Sequence, residues 1–307
     1  MSLNIQKDVL LAPLTTFKIG GFARYFVDVK TEEEIRAALA HARECGLRFV
    51  ILAGGSNVLV PDEGLDALVI RVRAGDFSFS DNELTASAGC SLLTLIRSAG
   101  ELGLGGWEKL AGIPGTVGGA VRGNAGAFGP EIKDFTVSTR ALHAENGECR
   151  DFVNPYMKFA YRTSFFKQNS EWIILHTRLK LFAVDSKESK RLIEETIAER
   201  EKRHIQNVRA AGSFFVNPVV PLEVQEMFEQ EKSVKSREGR VPAGWFIEKV
   251  GLRGARVGDA VASDQHPNYI KNDGAASAKD VLALAQKIKD AVQKQFGVEL
   301  KEEAVIL

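Results

Sequence analysis

Cysteine is scarce in this 307-residue sequence, and long hydrophobic runs are absent. The three cysteines, Cys45, Cys90 and Cys149, lie far apart and form no C-x-x-C pair, which argues against a disulfide scaffold and favours a reducing compartment. No apolar run approaches the roughly 18 residues of a membrane span. The N-terminus also lacks the basic and apolar segments of a signal peptide. We therefore expect a cytoplasmic protein without a membrane partner.

Neither sign of charge is in excess. Forty Lys and Arg balance forty Asp and Glu, so the formal net charge is zero. This argues against a general nucleic-acid-binding surface but leaves room for a local basic pocket that binds a small anion. The histidines have no paired ligand spacing, so no metal site is predicted and structural or surface roles are favoured for them.

Familiar nucleotide-binding and hydrolase motifs are missing as well. The sequence contains no Walker A motif, and no G-x-G-x-x-G opens a helix after a strand, as a Rossmann domain would require. The serine of the Ala211–Pro218 segment is not in a G-x-S-x-G elbow, so an acyl hydrolase is poorly supported. The length suggests about two domains.

Hydrophobic spacing predicts a mixture of strands and helices, and hence an α+β or α/β fold. A helix over 31–46 begins with the capping-box pair Thr31 and Glu34, and its predicted apolar face is Ile35, Ala38, Leu39 and Ala42. The charge-rich segment 187–203 reads as a helix near the domain boundary, which we place between 185 and 205. The other predicted elements are strands at 48–52, 68–72, 172–182 and 304–307 and helices at 92–99, 222–228 and 278–295. Ser91 is the candidate cap of the helix at 92–99, and Ser277 and Asp280 lie near the cap of the helix at 278–295. The predicted apolar faces are Leu92, Leu95, Ile96 and Ala99 in the first of these helices and Val281, Leu284, Ala285, Ile288 and Val292 in the second.

Glycine is the feature that stands out. Residues 103–129 contain ten glycines and show neither helical nor strand periodicity. Glycine lets the backbone approach a flat or anionic ligand, and a loop of this length is uncommon unless functional, so ligand binding is favoured over a bare flexible loop. The shorter Gly54-Gly55-Ser56-Asn57 loop could cradle a phosphate through its N–H groups, although a tight turn is the commoner explanation of such a segment.

Three further segments carry candidate side chains. Arg162 lies between an aromatic and small residues, Ser213 follows a glycine and precedes two phenylalanines, and Glu302-Glu303 lies near the C-terminus. Taken singly, each has an ordinary explanation: a surface ion pair for Arg162, a turn or cap role for Ser213, and solvated carboxylates for the glutamates.

Taken together and in this order, the segments resemble the UDP-N-acetylenolpyruvoylglucosamine reductase family. Each motif is weak alone, but the set in the family's order is specific and covers nearly the whole chain. The motifs are Thr15–Gly21, Gly54–Val60, Ala111–Ala120, Asn124–Ala127, Tyr161–Ser164, Gly212–Phe215, Ala243–Glu248, His266–Ile270 and Phe296–Leu300.

The resemblance implies an α+β fold in which a two-subdomain, PCMH-type FAD-binding region without a Rossmann fingerprint precedes a C-terminal α+β substrate domain. The expected divisions are 1–70 and 71–200 for the FAD subdomains and 201–307 for the substrate domain, whose C-terminal tail returns to the active site. The spacing between Tyr161 and Ser213 resembles the shorter form of the family, which lacks an inserted loop carrying a tyrosine. A monomer is expected on the same ground.

The resemblance also implies a reaction. NADPH gives a hydride to N5 of FAD, and N5 passes it to the vinyl carbon of UDP-N-acetylglucosamine enolpyruvate, giving the lactyl ether of a peptidoglycan precursor. By motif match, Ser213 would donate the proton to the enolate and Arg162 would bond the carboxylate. Glu303 would assist from the opposite side, protonated or sharing a proton, because a charged carboxylate would repel the enolate. Motif register favours Glu303 over Glu302.

Binding residues follow from the same motif match. Lys202 and Arg203 are candidates for the substrate diphosphate, and Tyr161 and Asn217 for further substrate contacts. Val216 stands where the family usually has lysine, so one expected cation is missing. The ending Glu302–Val305 also differs from the family's usual proline-glutamate-valine pattern, and Glu302 would take the catalytic role if the register were shifted by one residue. The residues expected to bind FAD are Gly54, Gly55, Ser56, Asn57, Val58, Gly112, Pro114, Gly115, Thr116, Gly118, Gly119, Asn124 and Gly126.

Two other functions remain open. One is a different FAD oxidoreductase of the same class, which its own hydroxy acid or sugar lactone substrate would reduce without NADPH. The other is a non-catalytic sugar-nucleotide-binding protein with this fold, which would purify without colour.

Overall fold

A computed structural model describes residues 3–203 and 207–307. These residues form two compact units, each with its own hydrophobic core. The first unit contains the described residues up to Val9, Ala23–Gly55 and Asp66–Lys202. The second contains Leu10–Phe22, Ser56–Leu65 and the described residues from Arg203 to Leu307. The division into two FAD subdomains and a substrate domain stays a prediction.

Strands and helices alternate along the described ranges. The strands are β1 (Gln6–Leu10), β2 (Phe22–Val29), β3 (Phe49–Leu52), β4 (Val58–Leu59), β5 (Leu65–Val72), β6 (Phe77–Ser80), β7 (Glu83–Ser87), β8 (Leu104–Gly105), β9 (Thr136–His143), β10 (Cys149–Val153), β11 (Trp172–Lys180), β12 (Phe182–Ala183), β13 (Arg256–Val257), β14 (Ala260–Ala262), β15 (Ile270–Asn272) and β16 (Val305–Ile306). The α-helices are α1 (Glu32–Glu44), α2 (Leu92–Glu101), α3 (Val117–Gly123), α4 (Phe165–Gln168), α5 (Ser186–Lys202), α6 (Leu222–Lys232), α7 (Ala243–Lys249) and α8 (Ala278–Phe296).

The first unit contains a four-stranded sheet and a five-stranded sheet. One has the order β1-β2-β5-β3, with β3 and β5 parallel. The other is antiparallel throughout, with the order β10-β9-β11-β7-β6. Helix α1 begins at the predicted cap, because the Thr31 hydroxyl accepts a hydrogen bond from the Glu34 N–H at 3.2 Å. The second bond of the predicted capping box differs: the Glu34 carboxylate accepts from the Lys30 N–H at 2.6 Å instead of the Thr31 N–H. Its buried face is the predicted one, formed by Ile35, Ala38, Leu39 and Ala42.

The glycine-rich segment contains a helix that hydrophobic periodicity does not reveal. Helix α3 forms over Val117–Gly123 and packs against β7 and β11. Gly118 makes this packing possible, because a Cβ there would lie 2.7 Å from the Ala88 Cβ and 2.9 Å from the Ala88 carbonyl oxygen. Glycine has low helix propensity, so close packing rather than local preference stabilises this helix.

The second unit is built around α8. The predicted cap is a complete capping box: the Ser277 hydroxyl accepts from the Asp280 N–H, and the Asp280 carboxylate accepts from the Ser277 N–H, both at 3.0 Å. A three-stranded sheet has the order β13-β14-β15. Strand β16 pairs in parallel with β4, so that Val305 lies opposite Val58. The buried face of α8 consists of Ala278, Val281, Leu284, Ala285, Ile288 and Val292.

Residues 3–203 and 207–307 contain neither a membrane-spanning helix nor a cluster of metal ligands. In these ranges no helix has both the length and the apolar character needed to cross a bilayer. The same residues contain no group of three or more His, Cys, Asp or Glu arranged to bind a metal ion. His204, one of the five histidines, lies outside the described residues. All three cysteines are free thiols.

Candidate active site

The two predicted glycine loops meet in the first unit. Gly54 lies against Gly115 so closely that a Cβ on Gly54 would be 2.9 Å from the Gly115 Cα. Gly55 and Gly115 both have positive φ, +61° and +122°, which residues with a side chain rarely adopt. The glycines are therefore required both for the close approach of two backbone segments and for the shape of each turn.

Several backbone N–H groups around the contact of Gly54 with Gly115 are available to bind a ligand. Within the described ranges, the N–H groups of Gly54, Gly55, Gly115 and Thr116 donate no hydrogen bond. Amide groups concentrated on glycine turns form concavities that suit phosphate oxygens. This set fits the pyrophosphate of FAD, and the glycines of the two loops leave room for the cofactor to approach the backbone.

The N-terminus of α3 does not supply such donors. The Thr116 hydroxyl caps the helix by accepting from the Gly119 N–H at 3.3 Å. The other first-turn amides also have partners within the protein: Val117 N–H donates to the Cys90 carbonyl and Gly118 N–H to the Ala88 carbonyl, each at 2.9 Å. Phosphate contacts from this region would therefore come from the loops that precede the helix.

Asn124 ends α3 in the left-handed conformation, with φ of +46° and its side chain fully buried. Its Nδ2 donates to Glu131 Oε2 and to the Ala160 carbonyl, both at 2.9 Å. Its Oδ1 accepts from the Lys133 N–H at 3.3 Å. The side chain of this predicted cofactor residue thus binds protein groups and joins the glycine-rich segment to the turn that carries Arg162.

Arg162 lies at the tip of a tight turn closed by paired backbone hydrogen bonds between Ala160 and Thr163. Its φ is +57°, an uncommon value for arginine. The guanidinium donates to the Gly126 carbonyl at 2.8 Å and lies 3.7 Å from Glu131 Oε1. The ring of Tyr161 lies 4.8 Å from the guanidinium carbon. Since its side chain is only 22% exposed, Arg162 is a positioned cation rather than a mobile surface one.

Ser213 and Glu303 are brought together in the second unit, whereas Arg162 belongs to the first. The Glu303 N–H donates to the Phe214 carbonyl at 2.7 Å, and Phe215 and Glu302 form an antiparallel bridge. The predicted proton donor and the predicted acid therefore lie on paired backbone segments. Within the described residues, the Ser213 hydroxyl makes no hydrogen bond and stays available to a ligand.

The two adjacent glutamates have different surroundings. Glu302 Oε1 forms an ion pair with Lys289 Nζ at 3.0 Å. The ion pair with Lys289 therefore belongs to Glu302. The Asn57 side chain donates to the Glu303 carbonyl at 3.2 Å, and the Asn57 carbonyl accepts from the Val305 N–H at 3.0 Å. Asn57, predicted to bind FAD, therefore uses its amide to fix the segment that carries Glu303.

Asn268 holds the serine segment and is a residue to which sequence reasoning assigned no role. Its Nδ2 donates to the Phe215 carbonyl at 2.8 Å, and its Oδ1 accepts from the Phe215 N–H at 3.0 Å. Its own carbonyl accepts from the Phe214 N–H at 2.7 Å. The motif His266–Ile270 pointed to this region, but only the structure gives the pairing partner.

The predicted substrate residues have simpler settings. Asn217 Oδ1 accepts from the Ala243 N–H at 3.0 Å and so caps α7. Lys202 is the last residue of α5 and Arg203 follows it, and both are exposed. Of the predicted cofactor residues, Val58 lies in β4, and Gly126 is so close to Glu131 that a Cβ would be 2.7 Å from its Cγ.

Comparison with known proteins identifies the families that the two parts of the chain match. Residues 23–152 match the FAD binding domain family, and residues 203–307 match the family described as UDP-N-acetylenolpyruvoylglucosamine reductase, C-terminal domain. The reductase of that name from Solibacter usitatus is 36% identical over 98% of this chain and 96% of its own. That from Pseudomonas aeruginosa is 35% identical over 99% of both chains.

A solved structure supports the same assignment. The crystal structure of UDP-N-acetylenolpyruvylglucosamine reductase from Thermus caldophilus has a TM-score of 0.78 and 33% identity, and the match covers 99% of each chain. The predicted α+β fold, with a PCMH-type FAD-binding region before a C-terminal domain, is thereby confirmed. The chain belongs to the UDP-N-acetylenolpyruvoylglucosamine reductase family.

Proposed function

We propose that this protein is an NADPH-dependent flavoenzyme that reduces the enolpyruvyl group of UDP-N-acetylglucosamine enolpyruvate to the lactyl ether of UDP-N-acetylmuramate. The reaction serves peptidoglycan synthesis, and the enzyme acts as a cytoplasmic monomer without a nucleic-acid or membrane partner. The observation that carries the proposal is the contact of Gly54 with Gly115, whose neighbouring amides are available for the pyrophosphate of FAD.

Bound FAD supplies the redox chemistry by accepting a hydride from NADPH and delivering it to the vinyl carbon. The protein supplies position and charge. The amides of Gly54, Gly55, Gly115 and Thr116 would hold the pyrophosphate. The remaining predicted cofactor residues would line the flavin through backbone and small side chains.

Arg162 would bind the carboxylate of the enolpyruvyl group and stabilise the negative charge that develops beside it. A guanidinium is always charged and can bond two carboxylate oxygens at once. The Gly126 carbonyl and Glu131 hold it in one orientation, which lowers the cost of positioning it during the reaction. The neighbouring Tyr161 would form part of the same substrate contact.

Ser213 would donate the proton that completes the lactyl ether. Its hydroxyl makes no hydrogen bond to a described residue, and its segment is fixed by Asn268. A hydroxyl is a weak acid in water, but an enolate carbon within hydrogen-bonding distance is a strong enough base to take its proton. Glu303, on the paired segment, would assist in protonated form, while Glu302 is engaged by Lys289.

Contacts to the substrate diphosphate are proposed for Lys202 and Arg203. Asn217 keeps its amide Nδ2 for a ligand, since its Oδ1 is taken by the Ala243 N–H. Val216 offers no charge at the position where the family usually has lysine. The two exposed cations at the end of α5 are therefore the first residues to test for diphosphate binding.

An anaerobic titration of the purified protein tests the proposal. The protein should carry a flavin absorption spectrum, NADPH should bleach it, and UDP-N-acetylglucosamine enolpyruvate should restore it. NADH in place of NADPH is the matched comparison of reductants. A colourless protein that oxidises no NADPH would instead be a sugar-nucleotide-binding protein. A flavin bleached by a hydroxy acid or sugar lactone, and not by NADPH, would identify another oxidoreductase.

A further inference from the structure

Arg122, in the last turn of α3, is a cation to which the proposed reaction gives no role. It is the only Lys or Arg between Lys109 and Lys133. In the described part of the chain its guanidinium forms neither a hydrogen bond nor an ion pair, whereas Arg162 is held by Gly126 and Glu131. Burial lowers its pKa from the usual arginine value. An arginine remains charged even so, and a desolvated charge without a partner is unfavourable.

The side of α3 that carries Arg122 is otherwise bare. Gly119 lies three residues before Arg122 and four before Gly123, so the three share one side of the helix. A Cβ on Gly123 would meet nothing within 4 Å, and one on Gly119 would come no closer than 3.7 Å to the Thr116 hydroxyl. This open side of α3, formed by Gly119, Arg122 and Gly123, can accept a ligand against its backbone.

The open side lies between two parts of the proposed site. At the start of α3, Thr116 belongs to the set of available amides. At its end, the Arg122 carbonyl accepts from the Ser164 hydroxyl at 2.8 Å, which ties the helix to the turn that carries Arg162. The Cα–Cβ bonds of a helix tilt towards its N-terminus, so the Arg122 side chain leaves the backbone towards the turn that contains Gly119. A cofactor reaching from the amides to the Arg162 turn would pass this side of the helix.

The negative charge of FAD has no cationic partner among the residues assigned to the cofactor, and this indicates what Arg122 binds. The pyrophosphate of FAD carries negative charge, and the residues assigned to FAD from the sequence are glycine, serine, threonine, asparagine, valine and proline, none of them a cation. We propose that Arg122 supplies the positive charge for an anionic group of bound FAD. The proposal rests on the proposed function only in requiring FAD. Two groups share the necessary chemistry: the pyrophosphate, and the N1–C2 carbonyl edge of the ring, which gains negative charge on reduction.

Substitution of Arg122 by Gln removes the charge and keeps a polar side chain of similar length, while Arg122→Lys keeps the charge. Arg97→Gln, an exposed arginine on α2 outside the site, is the matched control. Two quantities are measured on the full chain: the FAD dissociation constant and the midpoint potential of the holoenzyme. If the pyrophosphate is the partner, Arg122→Gln weakens FAD binding by about 10- to 100-fold at unchanged potential. If the ring is the partner, the midpoint potential falls at unchanged affinity.

In either case Arg122→Lys should stay close to the wild-type FAD dissociation constant and midpoint potential. Arg97→Gln should leave both quantities unchanged. Binding and potential both unchanged in Arg122→Gln, or a change confined to the substrate KM, would overturn the proposal. A general loss of stability is distinguished by salt: loss of a charge contact makes FAD affinity less dependent on ionic strength, and misfolding does not.

Failure of the proposed function gives a different pattern. A wild-type protein that binds FAD and responds to Arg122→Gln, but is not reoxidised by the enolpyruvyl substrate, would contradict only the proposed reaction. A wild-type protein that binds FAD and is insensitive to Arg122→Gln would contradict only the role of Arg122. A wild-type protein without FAD would contradict both.

Discussion

Polar side chains around the candidate site do two kinds of work. Asn57, Asn124, Asn217 and Asn268 use their amides to join backbone segments that are distant in sequence. Ser213 and Arg122 make no such bond to a described residue and remain available for chemistry or binding. Side-chain amides bonded to the backbone of a distant segment favour one arrangement of the loops, so these asparagines help to hold the available groups in place.

Replacing Ser213 by Ala removes the proposed proton donor without disturbing the backbone bonds that hold its segment. FAD content and bleaching by NADPH should stay at the wild-type level. Reoxidation by the enolpyruvyl substrate should slow by about 10²- to 10³-fold, as for the loss of other catalytic donors. Stopped-flow absorbance measures both halves separately, with Ser78→Ala on exposed β6 as control. If Ser213→Ala were reoxidised at the wild-type rate, another group would have to donate the proton that completes the lactyl ether.

The adjacent glutamates can be separated by the same assay. Glu303→Gln should slow reoxidation strongly, because the amide cannot give up a proton. Glu302→Gln removes only the ion pair with Lys289 and should change the rate less than tenfold. A strong effect of Glu302→Gln with a weak effect of Glu303→Gln would move the catalytic role to Glu302. Equal and mild effects would leave neither as the acid.

Among the helices, α3 depends on glycine for packing rather than for flexibility. Gly118→Ala would place a methyl group 2.7 Å from the Ala88 Cβ and 2.9 Å from its carbonyl oxygen. The strain should lower the free energy of unfolding by about 1–3 kcal/mol, although alanine favours helices. Gly75→Ala, outside the proposed site and with no atom closer than 3.9 Å to the added Cβ, is the control and should be close to neutral. Urea unfolding at fixed FAD concentration measures both, and equal stabilities would contradict the packing argument.

Helix α6 is tied to α7 by an ion pair that predicts acid sensitivity. Lys249 lies 2.5 Å from Glu231 and lowers the pKa of its carboxyl to about 2. A folded-state pKa below the unfolded one gives stability that is complete above about pH 4.5 and lost as the pH falls towards 2. The free energy of unfolding should therefore decline over this range, and less steeply in Glu231→Gln. Urea unfolding of both proteins at several pH values provides the comparison. If the free energy of unfolding depends on pH equally in the wild type and in Glu231→Gln, the ion pair does not contribute to stability.

The sequence predicted the elements with a strong periodic pattern and a local start signal. Helices α1, α2 and α8 begin at the predicted caps and bury the predicted faces. Helix α3 was missed because glycine erases the apolar pattern. Strand β10 was not predicted because it has only one buried residue. Motifs predict roles for Ser213 and Glu303, which stay predictions, whereas the roles proposed for Asn268 and Arg122 depend on contacts, or on the absence of contacts among the described residues, that no local pattern encodes.

Considered as a whole, the chain builds its second unit from segments far apart in sequence. Phe17 and Leu59 lie in the same core as α8, with exposures of 0% and 1%. Residues 203–307 expressed alone should therefore lack part of this core and the strand that pairs with β16. We expect no cooperative urea transition and no near-ultraviolet circular dichroism for this fragment. In the full chain, Phe17→Ala should lower the free energy of unfolding by about 3–5 kcal/mol. A fragment that unfolds cooperatively would contradict this view.

The pairing of β4 with β16 also bears on synthesis by the ribosome. Val58 leaves the exit tunnel about 250 residues before Val305, which at roughly 5–20 residues per second is on the order of 10–50 s. During that interval the nascent chain holds an unpaired strand edge, and such edges invite aggregation. Chaperone capture of the emerging polypeptide, and its dependence on translation speed, should therefore be concentrated around residues 56–65.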